Sequence, residues 1–338
     1  MPGETSISYS ANEHAMTETF LLIIAGLILF LYAVSHLSDT LKAALGENAK
    51  KWMAKYTGNT LSSILVGLVV TTLLDSSSAV IIITIVFVNS GFLTLRQAMG
   101  IVLGANIGTT VSSQIIAMDV GKYSPVFLLI GFILLMASKS ERVGNIGKTI
   151  LYFGVLFFGL FTMENAMEPM RDHPGFADWM KRTEVPIVGA LVGAVVTLVL
   201  QSSSATVGMA IILAKKGMLS AAGGIAVMLG AELGTCSDTL LATIKGTKDA
   251  LRTGIFHLTF NIVSITIGLL MFRPFVDLVT VISRGDSLER SIANAHMLFN
   301  TFGVLLFAWT LPAFERGLKR MIPDKGVEIK DTVSTVKA

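Results

Sequence analysis

Charge is scarce in this chain. Of 338 residues, 26 are lysine or arginine and 23 are aspartate or glutamate, so only 14% are charged, where a soluble domain carries about 25%. So few charges cannot cover a water-facing surface, which disfavours a soluble enzyme, a nucleic-acid binder and a disordered scaffold together. The formal net charge of +3 is too small to draw a polyanionic partner, so no nucleic acid is expected. Cysteine is almost missing: the lone Cys236 excludes a disulfide framework and a cysteine-cluster metal site. What is present instead is apolar surface and glycine, with 52% apolar residues and 31 glycines, a mean hydropathy of +0.70, and the glycine enrichment usual in membrane helices. The expected class is an all-α polytopic membrane protein in a lipid bilayer. No secretory leader is expected, because the first apolar run, near Thr19, follows Glu4, Glu13 and Glu18 rather than a basic start.

Uncharged apolar stretches run over Thr19–Leu37, Leu61–Asn89, Gln97–Met118, Tyr123–Ser138, Thr149–Met163, Pro186–Leu213, Ser220–Ile244, Thr253–Phe272 and Ser291–Leu311. Spanning a bilayer takes about 20 helical residues, so Tyr123–Ser138 and Thr149–Met163 are short and must borrow flanking residues. Leu61–Asn89 and Pro186–Leu213 are too long for one helix and too short for two. Each is cut at its centre by a polar cluster, Asp75-Ser76-Ser77-Ser78 and Gln201-Ser202-Ser203-Ser204. Two half-length helices meeting at mid-membrane, a re-entrant hairpin, fit that pattern, and such irregular backbone is tolerated only inside protein or beside a wet cavity.

The chain repeats itself at an offset of 126 residues. Val66–Val80 lies over Val192–Thr206 with 10 of 15 identities, and at the same offset Gly104–Thr109 (GANIGT) lies over Gly230–Thr235 (GAELGT). Duplication explains both matches. The resulting division is an N-terminal tail (1–18), a first repeat (19–145, hairpin 61–89), a second repeat (146–272, hairpin 186–213), a connecting loop with a final transmembrane helix (273–311), and a polar tail (312–338) expected to be loose. If each hairpin returns to its own side, the first repeat crosses three times, so the second enters from the opposite face. That is an inverted-topology repeat, a frequent construction in secondary transporters. Lysine and arginine split 17 to 9 between the two sides. The positive-inside rule then predicts an extracytoplasmic N-terminus and a cytoplasmic C-terminus in the cell membrane.

Only Asp75, Glu232 and Asp238 place carboxyl groups within the apolar stretches, and all three fall inside the duplicated elements. A charged, unpaired acid at the bilayer centre costs roughly 2.5–3.5 kcal/mol, which makes each a functional candidate. The serine triplets precede the second half-helix of each hairpin. A helix that starts at mid-membrane turns free N–H groups and a positive dipole end toward the cavity, and serine hydroxyls add donors, so two opposed tips can hold a small tetrahedral anion without a lysine. Serine N-capping accounts for one serine of each triplet, not three. The second element, Gly104-Ala-Asn106-Ile-Gly108-Thr109-Thr110, and its partner around Glu232, Thr235 and Asp238 read as glycine-broken helices. Their carbonyl, amide, hydroxyl and carboxylate oxygens suit a small cation; a GxxxG packing face is the alternative. His257–Asn261 and His296–Asn300 place His and Asn one helical turn apart, a pattern assigned to helix packing.

The paired Q-S-S-S and G-A-N-I-G-T-T-like motifs resemble those of the sodium–phosphate cotransporter family, in its bacterial and type II animal members, over Thr19–Leu311. The resemblance implies inward transport of inorganic phosphate with sodium by elevator-like alternating access. It also implies phosphate contacts at Ser76, Ser77, Ser78, Gln201, Ser202, Ser203 and Ser204, and sodium contacts at Asn106, Thr109, Thr110 and Thr235. It further allows a homodimer. This sequence departs from the family pattern at Asp75 (for Gln), at Glu232 (for Asn) and at the additional Asp238. Asp75 beside a dianion is repulsive unless protonated or cation-paired, so these three acids are expected to hold the coupling cation or protons. No enzymatic activity and no cofactor are expected, since neither G-x-S-x-G nor G-x-G-D surrounds the serines. Transport of another small oxyanion or a carboxylate is the competing reading.

Overall fold

The computed structural model describes residues 3–118, 120–170, 174–244 and 246–324, with side chains from residue 17 onward, Pro174 excepted. Lys245, Arg171 and the C-terminal tail from residue 325, all counted in the charge bias, lie outside the described residues, as do the side chains of residues 3–16. Among the described residues the secondary structure is entirely helical. The first repeat consists of α1 (Gly3–Tyr56), α2 (Thr60–Leu74), α3 (Ser77–Asn89), α4 (Leu95–Ile116) and, after a 3₁₀ turn at Gly121–Tyr123, α5 (Ser124–Ala137). The second consists of α6 (Glu141–Ala166), α7 (Pro174–Arg182), α8 (Pro186–Leu200), α9 (Ser203–Lys215), α10 (Ala221–Gly234), α11 (Cys236–Leu241) and α12 (Lys248–Leu270). Then follow α13 (Phe272–Ile282), α14 (Leu288–Ala308) and α15 (Leu311–Met321). Among the described residues, five helices are long and apolar enough to cross a membrane: those within Thr17–Tyr56, Leu95–Ile116, Glu141–Met170, Lys248–Leu270 and Leu288–Ala308.

The duplication is written into the helix boundaries. Both ends of α2 and α3, Thr60, Leu74, Ser77 and Asn89, recur 126 residues later as Pro186, Leu200, Ser203 and Lys215 in α8 and α9. Each interrupted stretch is a helix pair broken at its polar cluster, as its length and composition require.

Glycine decides how the hairpins pack. The re-entrant arm α2 lies along α4, and α8 along α10. A Cβ at Gly104 would sit 1.9 Å from the Ile64 carbonyl oxygen, and one at Gly230 would sit 1.7 Å from that of Ala190. Only a residue without a side chain allows these backbones to approach so closely. The glycine elements are therefore packing faces. The expected break in the helix occurs only in the second copy, where α10 gives way to α11 at Thr235, while α4 runs unbroken through Gly104–Thr110. A helical glycine costs only about 1 kcal/mol, and Asn106, Thr109 and Thr110 bond back to carbonyls of their own helix at 2.8, 3.0 and 2.7 Å, so nothing forces α4 open.

α6 packs along both α1 and α5, and its core residues are continuous with those of α9 and α10. Two segments differ from expectation. The stretch read as a connecting loop carries α13, and the tail expected to be loose begins with α15, whose Leu311 and Leu318 are buried. Both are amphipathic; the polar face of α15 lowers its mean hydropathy, and α15 is pinned by Arg96, which contacts Glu315 at 2.7 Å.

Candidate anion cavity at the hairpin tips

The two hairpins reverse direction by the same local device. Asp75 and Gln201 adopt left-handed backbone with φ of 50° and 53°, the two non-glycine residues with positive φ among those described. For a side-chain-bearing residue this conformation costs of order 1 kcal/mol and persists where the surroundings demand it. Here it ends one half-helix and immediately starts the next. Ser76 and Ser202 then serve as N-caps, each hydroxyl accepting the backbone N–H three residues on, from Ala79 and Ala205, at 3.2 Å.

Both tips open into one cavity of about 470 Å³, lined by Asp75, Ser76, Ser77, Ser78, Gln201, Ser202, Ser203, Ser204 and Thr235, with part of α1 as the remaining wall. The first turns of α3 and α9 face it with free amide donors and the positive ends of their dipoles. The seven residues expected at the anion thus meet in one space although 126 residues separate the two triplets. Asp75, half-buried at the cavity, accepts a hydrogen bond from the Ser112 hydroxyl of α4.

The residues expected at the cation divide. Asp75 and Thr235 line the cavity, whereas Asn106, Thr109 and Thr110 are buried in α4 and Asp238 is half-buried in α11 beside the Ser237 hydroxyl at 3.4 Å. Glu232 is committed elsewhere: its Oε1 lies 2.7 Å from His296 Nε2, and His296 Nδ1 lies 2.7 Å from the Ser113 hydroxyl. This chain joins α10, α14 and α4, all of it nearly inaccessible to solvent.

The histidine motifs obey the duplication through their partners. His296 meets Ser113, and His257 meets Thr239 at 2.9 Å; Ser113 and Thr239 are 126 residues apart. One further pair exposes a difference between the copies. Thr197 donates to the Thr206 hydroxyl at 2.7 Å across the second hairpin. At the equivalent place in the first hairpin Thr71 faces Val80, and its buried hydroxyl has no partner. Sequence reasoning missed Ser112 and Ser113, whose contacts are purely tertiary. It also missed four residues of α1 in the cavity wall, Ser35, Ser38, Asp39 and Lys42, which lie at or beyond the end of the apolar run yet follow helical spacing.

Comparison with known proteins places this geometry in a family. The sequence model described as Na+/Pi-cotransporter matches residues 29–165 and again residues 174–311, so each serine tip falls within its own match. The YqeW protein of Bacillus subtilis (strain 168) is 27% identical over 302 residues, covering 88% of this chain and 97% of YqeW. A Salmonella typhimurium relative described as "Putative inorganic phosphate export protein YjbB" is 28% identical over 262 residues, 77% of this chain; the aligned region spans about half of that relative, 48%. The human sodium-dependent phosphate transport protein 2B is 34% identical over 107 residues, 31% of this chain and 16% of that protein. No solved structure matches. The doubled family match, falling on the two repeats that carry the serine tips, makes this chain a member of the Na+/Pi-cotransporter family.

Proposed function

We propose that the chain is a sodium-coupled secondary transporter of inorganic phosphate, importing it by alternating access with the anion held between the two hairpin tips. The observation that carries this reading is the convergence of two serine-capped helix N-termini, α3 and α9, on one cavity. Backbone amides and hydroxyls bind an oxyanion without fixing a full counter-charge, so the site can release its cargo on the far side. Ser76, Ser77, Ser78, Gln201, Ser202, Ser203 and Ser204 contact phosphate in this reading. Asp75 and Thr235 supply oxygens to the sodium, whose positive charge offsets the repulsion between Asp75 and the dianion. Glu232 instead holds α10 to α14 through His296. The protein sits in the cell membrane with its C-terminus inside, as the lysine and arginine bias indicates.

Uptake of labelled phosphate into proteoliposomes, with a sodium gradient imposed or withheld, tests the assignment. Sodium-driven accumulation is expected; no phosphate accumulation alongside accumulation of another anion refutes it. Asp75→Asn is expected to change the sodium dependence of uptake, and unchanged sodium and pH dependence counts against a coupling role for this carboxylate. The likeness to YjbB favours a second reading in which net movement is outward. Phosphate content of cells overproducing the protein separates the two, rising for import and falling for export.

A further inference from the structure

The wall of the cavity supplied by α1 passes from Leu31 and Val34 into a polar stripe where the apolar run gives out. Ser35, Ser38, Asp39 and Lys42 follow i, i+3, i+4, i+7 spacing, which places them on one face of a helix, and all four line the cavity into which the serine tips open. The stripe is fixed to the first tip, because the Ser38 hydroxyl donates to the Leu74 carbonyl, one residue before Asp75, at 3.1 Å. Among the described residues, Lys42 is the one basic residue lining that space. Its ammonium group meets Asp39 at 3.3 Å, one turn back on the same helix, with the two side chains 38% and 67% exposed. Such an exposed pair is weakly held, so Lys42 is free to exchange its partner for an incoming anion.

Charge bookkeeping shows why this matters. The titratable groups lining the cavity are Asp39, Asp75 and Lys42, which together carry a net single negative charge when ionised. Without Lys42 the cavity would present two negative charges to an anion that is itself negative. Potentials of this kind inside a low-dielectric cleft govern the local concentration of a charged ligand and fade with added salt.

We propose that the α1 stripe is the third wall of the anion site and that Lys42 is its counter-charge, setting anion affinity from a helix outside both hairpins. This rests on the anion reading of the cavity given above. The test uses full-length wild-type, Lys42→Gln, Lys42→Arg and Asp39→Asn proteins in proteoliposomes, with inorganic phosphate and, separately, sulfate as probes. For the anion that wild type accumulates, Lys42→Gln is expected to raise KM about 5- to 10-fold with Vmax near wild type, a difference from wild type that shrinks as ionic strength rises. Lys42→Arg retains wild-type behaviour, and Asp39→Asn lowers KM by removing the competitor for the ammonium group. A Lys42→Gln protein with wild-type KM and wild-type salt dependence overturns the proposal, as does an equal loss of Vmax in Lys42→Gln and Lys42→Arg, which marks a structural role. Accumulation of sulfate but not phosphate by wild type overturns the phosphate reading alone, leaving Lys42 scored on sulfate. Accumulation of neither overturns both.

Discussion

Substituting Gly230 with alanine tests the packing of the hairpin arms most directly. The added Cβ would lie 1.7 Å from the Ala190 carbonyl oxygen and 2.5 Å from its carbonyl carbon. A carbon approaches a carbonyl oxygen no closer than about 3.3 Å without repulsion, so α8 and α10 must separate locally by about 1.6 Å. A gap of 0.5–1 Å already forfeits a quarter to a half of each dispersion contact, and the contact runs along the helix pair, with Gly193 against the Val227 carbonyl and Gly234 against Thr197. Overpacking of a core ordinarily costs 1–3 kcal/mol; here backbone meets backbone, leaving no side chain to rotate away, and about 3 kcal/mol or more is expected. The control is Gly317→Ala in α15, where nothing lies within 4 Å of the added carbon, and alanine should stabilise by up to about 1 kcal/mol through helix propensity. Thermal unfolding in detergent, followed by size-exclusion chromatography, reads both. A Gly230→Ala protein as stable as Gly317→Ala would falsify the close-contact argument.

Three further outcomes follow from the same geometry. His296→Ala leaves the buried Glu232 without its hydrogen-bond partner, which should cost about 1–3 kcal/mol; a melting temperature within a degree of wild type would show that the pair does not bind α10 to α14. Val80→Thr gives the Thr71 hydroxyl the partner that Thr206 gives Thr197, and should stabilise by about 1 kcal/mol, while Thr206→Val should destabilise by a similar amount; equal signs for the two substitutions would contradict the pairing. At Glu315, burial acts to raise the carboxyl, but hydrogen bonds and charge from Lys319 and Arg96 outweigh it and hold the group below its ordinary value of 4.5. Its contribution to stability is therefore present above pH 4.5 and lost as acidification passes through the lowered value. Stability measured against pH should show this acid-side loss in wild type and less of it in Glu315→Gln, and parallel curves would remove Glu315 as its source.

The serine tips were legible because identical residues recur at one offset, and a broken apolar run of about 28 residues has few other solutions in a membrane. The glycine elements were only half legible: small residues at i and i+4 serve an unwound segment or a close helix contact equally well, and only the position of α2 and α8 decides between them. Lys42 escaped because hydropathy reading stops α1 at Leu37, where apolar residues end, although the helix continues to Tyr56. The link from Glu232 to His296 joins residues 64 apart with no shared periodicity, and nothing short of the fold brings them together. α15 was missed for a third reason, since a window that averages hydropathy erases a helix whose two faces cancel.

The shortness of α5 has a consequence for the surrounding lipid. With its leading 3₁₀ turn it covers Gly121–Ala137, about 25 Å at 1.5 Å per residue, against a hydrocarbon thickness of about 30 Å. Phe132, Ile133 and Met136 stand exposed along it, so this flank must be wetted by acyl chains over less than the usual depth. Where α5 crosses the bilayer, the shortfall is met by flanking residues or by a local pinch of the bilayer, at a cost of fractions of a kcal/mol for each ångström of mismatch. Acyl-chain length in the reconstituted membrane thereby becomes a mechanical variable acting on α5 and its neighbour α6, with shorter chains relieving the pinch and longer ones deepening it.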